Sequence, residues 1–214
     1  MKSVLVTGGT VRLGKSIADA LRADGWRVLT VSHRPDAGAD IVADFTRPDG
    51  AVRAYAAAMR LLDGLPPDAL VNNAALFAGD AAALEAVNLT APVKLTTLMA
   101  GRETGVGAVV NVLDSRVLRG TDGTPYSRTK AALLESTLKS AALFADTLRV
   151  NAVAPGPVLA PTDVREPAGP TPLGRPTPAD VAETVRYLLS ARAVTGQVIA
   201  VDGGQHLLAE GGAA

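Results

Sequence analysis

The sequence predicts a single α/β domain built on a doubly wound, seven-stranded parallel sheet. Three observations carry that expectation. Short β-branched runs alternate with longer helical patterns along the chain. A glycine-rich turn, Thr7 to Gly14, joins the first apolar run to the first helical pattern. Finally, 214 residues with 48% hydrophobic content can bury one large core, a size at which α/β domains commonly stay undivided.

In chain order, strands are expected at Ser3 to Val6, Arg27 to Val31, Asp40 to Ala43, Ala69 to Asn72, Ala108 to Leu113, Leu148 to Val153 and Gln197 to Val201. Helices fit Leu13 to Asp24, Pro48 to Leu62, Leu84 to Glu103, Tyr126 to Ala145 and Pro178 to Ser190. The last opens with proline in its first turn and Thr177 as its N-cap. The domain is expected over residues 1–209, with the low-complexity stretch 210–214 as a frayed tail.

Composition excludes several function classes. Basic and acidic residues balance at 21 each, so no basic field draws the chain to nucleic acid or to a membrane surface. Cysteine is absent, and only His33 and His206 supply imidazole, so neither a disulfide nor a metal site is expected. The apolar start is too short for a signal peptide, and no stretch approaches a membrane span; a cytoplasmic location follows by default.

The turn from Thr7 to Gly14 lets backbone N–H groups approach a pyrophosphate at the positive end of the first helix, with Gly8, Arg12, Leu13 and Gly14 as the contacting residues. An ordinary tight turn is the plainer use of such glycines. A dinucleotide site also needs a residue at the end of the second strand: an acid for a free ribose hydroxyl, a base for a 2′-phosphate. Here that strand ends in Ser32, His33 and Arg34, with no acid before Asp36, and Arg12 adds a further cation. The pattern points to the phosphorylated cofactor, NADP(H). Arg34 as a solvated turn residue is the alternative.

Tyr126 and Lys130 stand four residues apart, a little over one helical turn, and project from one helix face. A cation beside a phenol favours the phenolate and lowers its pKa toward neutrality, as a proton donor and acceptor requires. Asp114 precedes them as a third candidate. Tyrosine and lysine at this spacing also occur as solvated surface pairs.

Taken together, Thr7 and Gly8 through Gly14, Asp44, Asn72 to Ala74, Asn88, Tyr126 to Lys130, Asn151, Pro155 with Gly156, and Val201 to Gly204 stand in the order of the short-chain dehydrogenase/reductase family, and the resemblance covers nearly the whole chain. It implies a Rossmann fold and an NAD(P)-dependent hydride transfer. It further implies Tyr126 as acid, Lys130 on the nicotinamide ribose, and Asn88 holding a proton-relay water. By the same resemblance Asn73 and Ala74 line the adenosine ribose path, Asp44 meets the adenine edge, and Val158 faces the nicotinamide amide.

Three departures narrow the substrate. Arg12 replaces a glycine usual in the family, Asp114 stands where a serine is expected, and Phe77 follows the asparagine pair. All three resemble the pteridine reductase branch, including bacterial dihydromonapterin reductases, where the arginine and the aromatic ring hold the pterin and the aspartate bonds it. The chemistry agrees, because reduction of a C=N bond needs a proton at nitrogen, and a carboxyl beside a phenol can relay one. A flat heterocycle also suits the face of Phe77. Substrate contacts are thus expected at Arg12, Phe77, Asp114 and Tyr126. Two alternatives stay open: Ser115 in place of Asp114 at the cofactor, since alternation lets only one face it, and Phe77 as plain core.

The expected function is NADPH-dependent reduction of a pterin such as dihydromonapterin, dihydrobiopterin or a folate. The alternatives are reduction of a small ketone or 3-oxoacyl thioester, or a non-catalytic NADP(H)-sensing protein. Between the second and third strands, His33 to Ala39 is too short for the crossover helix parallel strands normally use, so that helix is expected to be missing. This leaves part of one sheet face open to solvent or to a neighbouring subunit. The stretch from Leu159 to Pro176, rich in proline, reads as an irregular lid. A homo-oligomer, tetramer or dimer, is expected, with Leu207 and Leu208 suited to the contact or to the monomer core.

Overall fold

A run of seven parallel strands in the order β3-β2-β1-β4-β5-β6-β7 forms the centre of the molecule. The computed structural model describes residues 1–103, 105–120, 122–159 and 170–208. The strands are β1 (Ser3–Thr7), β2 (Arg27–Ser32), β3 (Ile41–Val42), β4 (Ala69–Asn72), β5 (Gly107–Val112), β6 (Leu148–Pro155) and β7 (Val198–Val201). The helices are α1 (Arg12–Ala23), α2 (Gly50–Leu61), α3 (Ala81–Glu85), α4 (Ala91–Ala100), α5 (Pro125–Leu143) and α6 (Pro178–Ser190).

Alternation along each strand divides the core between the two faces of the sheet. Val4 and Val6 of β1, with Val71 and Val110, pack beneath Ile17 and Leu21 of α1 and Val181, Val185 and Leu188 of α6. Leu5, Leu29, Leu70 and Val109 point the other way, against Ala54, Tyr55 and Ala58 of α2 and Leu95 and Met99 of α4. Register is fixed at the centre, where Leu5 lies beside Leu29 on one side and Leu70 on the other.

Chain direction reverses its lateral progress between β1 and β4, and at that switch point the carboxyl ends of the strands part to leave a crevice. The loops after β1, β2 and β4 therefore meet there.

The expected crossover helix between β2 and β3 is indeed missing: a single 3₁₀ turn, Pro35–Ala37, spans the gap. Asp40, expected within the strand, instead joins the ladder through its carboxylate, which accepts from Thr30 N at 2.8 Å and Thr30 Oγ1 at 2.7 Å. The residue left without cover is Val42, at 52% exposure.

Two other expectations change. The long helix from Leu84 to Glu103 starts earlier, at Ala81, and is interrupted by a π turn, Ala86–Thr90, before α4 resumes. Asp80 caps its start by accepting from Ala83 N at 2.8 Å. The α6 terminus holds a full capping box, Thr177 with Asp180, and such reciprocal bonds contribute about 1 kcal/mol. Of the expected lid, residues 160–169 lie outside the described residues, as does the tail 210–214. Among the described residues no helix is long and apolar enough to cross a membrane, and no group of three candidate ligands could hold a metal.

Candidate active site

The loop after β1 forms one wall of the crevice. Gly8 adopts φ +63°, open to glycine without strain, and a Cβ on Gly14 would stand 2.0 Å from the Gly8 carbonyl oxygen. Only bare backbone fits there. Arg12 holds φ +50° with a side chain, in the left-handed region where a non-glycine residue costs about 1–2 kcal/mol. The glycine-type backbone persists although the residue has changed.

Across the crevice, Asn73 locks the loop in place. Its Nδ2 donates to Thr7 O at 3.0 Å and Gly8 O at 3.2 Å, while the Asn73 and Ala74 N–H groups both donate to Thr7 Oγ1 at 3.0 Å. Thr7, which the sequence marks only as the start of the turn, thus pins the turn to the β4 loop.

Together these segments enclose a cleft of about 590 Å³, lined by Gly8, Arg12, Leu13, Gly14, His33, Arg34, Asp44, Asn73 and Ala74. Every residue expected at the dinucleotide's adenosine and phosphate portions is in that list. Helix α1 has no capping side chain and no acid in its first turn, so its leading N–H groups keep their positive potential for an anion. Arg34 reaches Asp36 at 3.4 Å, but both side chains are exposed, and a pair of that kind is readily exchanged for a phosphate. The Asp44 carboxylate is bound by Thr46, whose two donors hold its pKa below the usual range. A dinucleotide with a 2′-phosphate fits this wall: bare backbone, an uncapped helix start and cations at the far end.

A second hollow of about 260 Å³ continues from the first through the shared residues Arg12, Leu13 and Asn73, and is lined by Asp114, Tyr126, Lys130, Pro155, Gly156 and Val158. Helix α5 delivers two of them. Thr124 caps it, accepting from Ser127 N at 3.2 Å, and Pro125 starts the first turn, so Tyr126 and Lys130 descend the same face into the hollow.

Tyr126 Oη donates to Asp114 Oδ2 at 3.1 Å. The Phe77 ring lies against the phenol, with centroids 4.8 Å apart and planes tilted by 51°. Phe77 is half exposed, so it is not plain core. Asp114 begins the 3₁₀ turn Ser115–Val117, and that turn sends the carboxylate to Tyr126 while burying Ser115.

The electrostatics depart from the simple expectation for a lysine and tyrosine pair. Lys130 Nζ donates to Val112 O at 2.8 Å and sits 5.9 Å from the centre of the phenol ring. Two charges bear on the phenol: the Asp114 carboxylate bonded to its hydroxyl and, opposing it, the Arg116 guanidinium. Burial first, and that carboxylate second, hold the Tyr126 pKa well above the ordinary phenol value instead of below it. Burial pulls Lys130 down to about 8, with Asp114 opposing. The phenol therefore stays protonated at neutral pH.

Asn88 is not in the hollow. It is fully buried in the π turn, where its carboxamide accepts from Leu76 N and donates to Leu76 O, each at 2.8 Å. It also donates to Thr129 Oγ1 at 3.2 Å, and that hydroxyl donates to Tyr126 O at 2.7 Å. The residue missed altogether is Arg116, which forms a two-pronged ion pair with Asp114 at 3.0 Å.

Residues 10–206 match the family model described as enoyl-(acyl carrier protein) reductase, a model of short-chain dehydrogenases and reductases. The chain belongs to the short-chain dehydrogenase/reductase family. It is thereby an oxidoreductase by class. Among curated relatives within the family, it is 35% identical to the granaticin polyketide synthase putative ketoacyl reductase 2 of Streptomyces violaceoruber, over 95% of this chain and 96% of that one. It is 31% identical to the dihydromonapterin reductase of Citrobacter koseri, again over 95% and 96%. Among solved structures, FolM alternative dihydrofolate reductase 1 from Brucella canis, complexed with NADP, superposes with a TM-score of 0.85 at 32% identity, covering 98% of this chain and 95% of that one.

Proposed function

We propose that the chain reduces a pterin, with NADPH as its cofactor. One observation carries the reading: the hydroxyl of Tyr126 is bonded to the carboxylate of Asp114, beside the ring of Phe77, at the place where a carbonyl reductase of this family presents a serine. The pterin-acting names among its relatives support it.

When bound, NADPH supplies the hydride. The residues of the chain bind, orient and protonate. Gly8, Arg12 and the start of α1 take the pyrophosphate, and His33 and Arg34 take the 2′-phosphate. Asn73, Ala74 and Asp44 line the adenosine, while Pro155, Gly156 and Val158 flank the nicotinamide, and Lys130 takes its ribose. Phe77 offers its face to the heterocycle, with Arg12 on the opposite wall. Tyr126, protonated at neutral pH, gives its proton to the ring nitrogen as the adjacent carbon takes the hydride, and Asp114 accepts from the substrate's N–H groups. Asn88 acts as a brace instead of holding a relay water: through Leu76 it fixes the segment carrying Phe77, and through Thr129 it reaches the backbone carbonyl of Tyr126. The same reading places the reaction in the cytoplasm. It expects a tetramer or dimer joined in part through exposed Leu207 and the half-buried β7.

The likeness to a ketoacyl reductase favours one rival, a 3-oxoacyl thioester as substrate. NADPH oxidation measured side by side with a dihydropterin, dihydrofolate and an acetoacetyl thioester separates the two. Turnover of the pterins is expected. Turnover of the thioester alone overturns the pterin reading, and tight NADPH binding with no turnover identifies a sensor.

A further inference from the structure

Packed against Gly156, outside the second hollow, is a buried carboxylate that the proton transfer does not use. Asp202 follows directly on β7, and its side chain is 2% exposed. It accepts from Gly204 N at 3.0 Å, from His206 N at 2.7 Å and from the His206 ring, whose Nδ1 lies 2.9 Å from Oδ2 and 3.0 Å from Oδ1. A carboxylate only accepts, so Nδ1 is the nitrogen that carries hydrogen in this pair. These bonds shape a turn with no room to spare on either side. On one side, a Cβ on Gly156 would stand 2.6 Å from the Asp202 Cβ and 2.8 Å from its Cα, and Gly156 N donates to Val201 O at 3.0 Å. On the other, a Cβ on Gly203, which holds φ +64°, would stand 2.2 Å from Gly174 O, and the Gly203 carbonyl accepts from Leu173 N at 2.9 Å. Gly156 lines the hollow, whereas Asp202 and His206 do not.

We propose that Asp202 and His206 are positioning residues for the nicotinamide: their bond holds the Asp202 to Gly204 turn against Gly156 and so fixes the wall on which the nicotinamide half of the cofactor lies. This rests on placing the nicotinamide against Pro155, Gly156 and Val158, and on nothing about the substrate. A buried carboxylate deprived of a donor must take water in its place. The side chain of His206 is 25% exposed, so water reaches Asp202 by displacing the ring, and the turn then lifts from Gly156. Interiors are close-packed, and a wall set back by a fraction of an ångström costs the ring that faced it much of its contact. The adenosine wall, built from the loops after β1, β2 and β4, shares no residue with this turn and stays as it is.

Titration of the full chain with NADPH and, separately, with adenosine 2′,5′-bisphosphate, which ends before the nicotinamide, reads the two walls apart. His206→Leu keeps bulk and loses the donor, His206→Asn keeps a donor at the place of Nδ1, and Asp202→Asn leaves the imidazole facing a carboxamide. The advantage of NADPH over the bisphosphate is expected to fall about tenfold in His206→Leu and Asp202→Asn, as loss of a hydrogen bond to a charged group implies, and to stay near wild type in His206→Asn. Affinity for the bisphosphate should hold in all three. An unchanged advantage in His206→Leu, whatever its Tm, overturns the proposal and leaves the pair as a brace for the fold. Equal weakening of both ligands overturns it too, as does a loss in His206→Asn as large as in His206→Leu. Should Asp202→Asn fail to fold, the two His206 variants decide. A wild type that binds the bisphosphate as tightly as NADPH sinks the placement of the nicotinamide itself, a result distinct from all of these.

Discussion

At the dinucleotide end of the cleft the wall is mostly backbone: the Gly8 carbonyl, the bare Gly14 and the first turn of α1, pinned by Asn73 and Thr7. At the other end the wall carries side chains from separate segments, Asp114 after β5 and Tyr126 and Lys130 from α5, with Phe77 after β4 and Arg116 packed against Tyr126. The backbone wall tolerates a changed side chain, as Arg12 demonstrates by keeping a glycine-type φ, but admits no added Cβ at Gly14. The side-chain wall is the reverse. Its backbone is ordinary, and its chemistry lies in a few bonds whose exchange alters charge and proton affinity.

Substitutions on either side can break that contrast. The largest effect is expected from Tyr126→Phe, which removes the donor while sparing the ring. Its kcat should fall about 10²–10⁴-fold with NADPH affinity unchanged, read by steady-state kinetics and fluorescence titration; a parallel loss of cofactor binding would show that the two ends are not separable. Gly14→Ala should do the opposite. The new methyl displaces the Gly8 carbonyl, so cofactor affinity falls and the fold loses about 1–3 kcal/mol, seen as a lower Tm. Arg34→Ala should weaken NADPH about tenfold and leave NADH untouched; equal weakening makes Arg34 structural.

The pH dependence tests the side-chain wall. Because burial sets Lys130 at about 8, its ammonium is lost as pH rises through that value, and kcat/KM for reduction should fall there. Tyr126, held above the ordinary phenol value, stays protonated across the same range. Asp114 raises both groups, so Asp114→Asn should move the alkaline fall to lower pH. Stability runs the other way: from about pH 8 toward 10.5 the folded chain has released a lysine proton that the unfolded chain retains, and this contribution to stability rises with pH. The smallest effect is expected from Arg12→Gly. Relief of the left-handed strain should raise stability by about 1 kcal/mol, or a Tm gain of about 2–4 °C, while substrate KM increases.

Much of this could be read from residue order. All seven strands lie close to their expected places because buried parallel strands announce themselves as short apolar runs. The dinucleotide wall was legible because glycine spacing encodes backbone shape directly. Arg116 was not, since it meets Asp114 two residues away through a 3₁₀ turn, a contact with no helical or strand period to betray it. The phenol's raised pKa was hidden for a related reason: spacing places Lys130 near Tyr126, but only the fold shows the ammonium bonded to Val112 O and the carboxylate bonded to the phenol. The break at Asn88 likewise depends on its tertiary bonds to Leu76 and Thr129. Periodicity alone gives an unbroken helix there.

The short link between β2 and β3 bears on how such a protein can change. His33 and Arg34 stand on a tether that ends in a two-residue strand and carries no helix into the core. Rewriting that tether disturbs few buried contacts beyond the bond between Asp40 and Thr30. On the proposed reading, cofactor choice is therefore a detachable module, open to loop grafting or to drift under selection at little cost to the folded state, while Asp114, Tyr126 and Lys130 stay anchored beside β5.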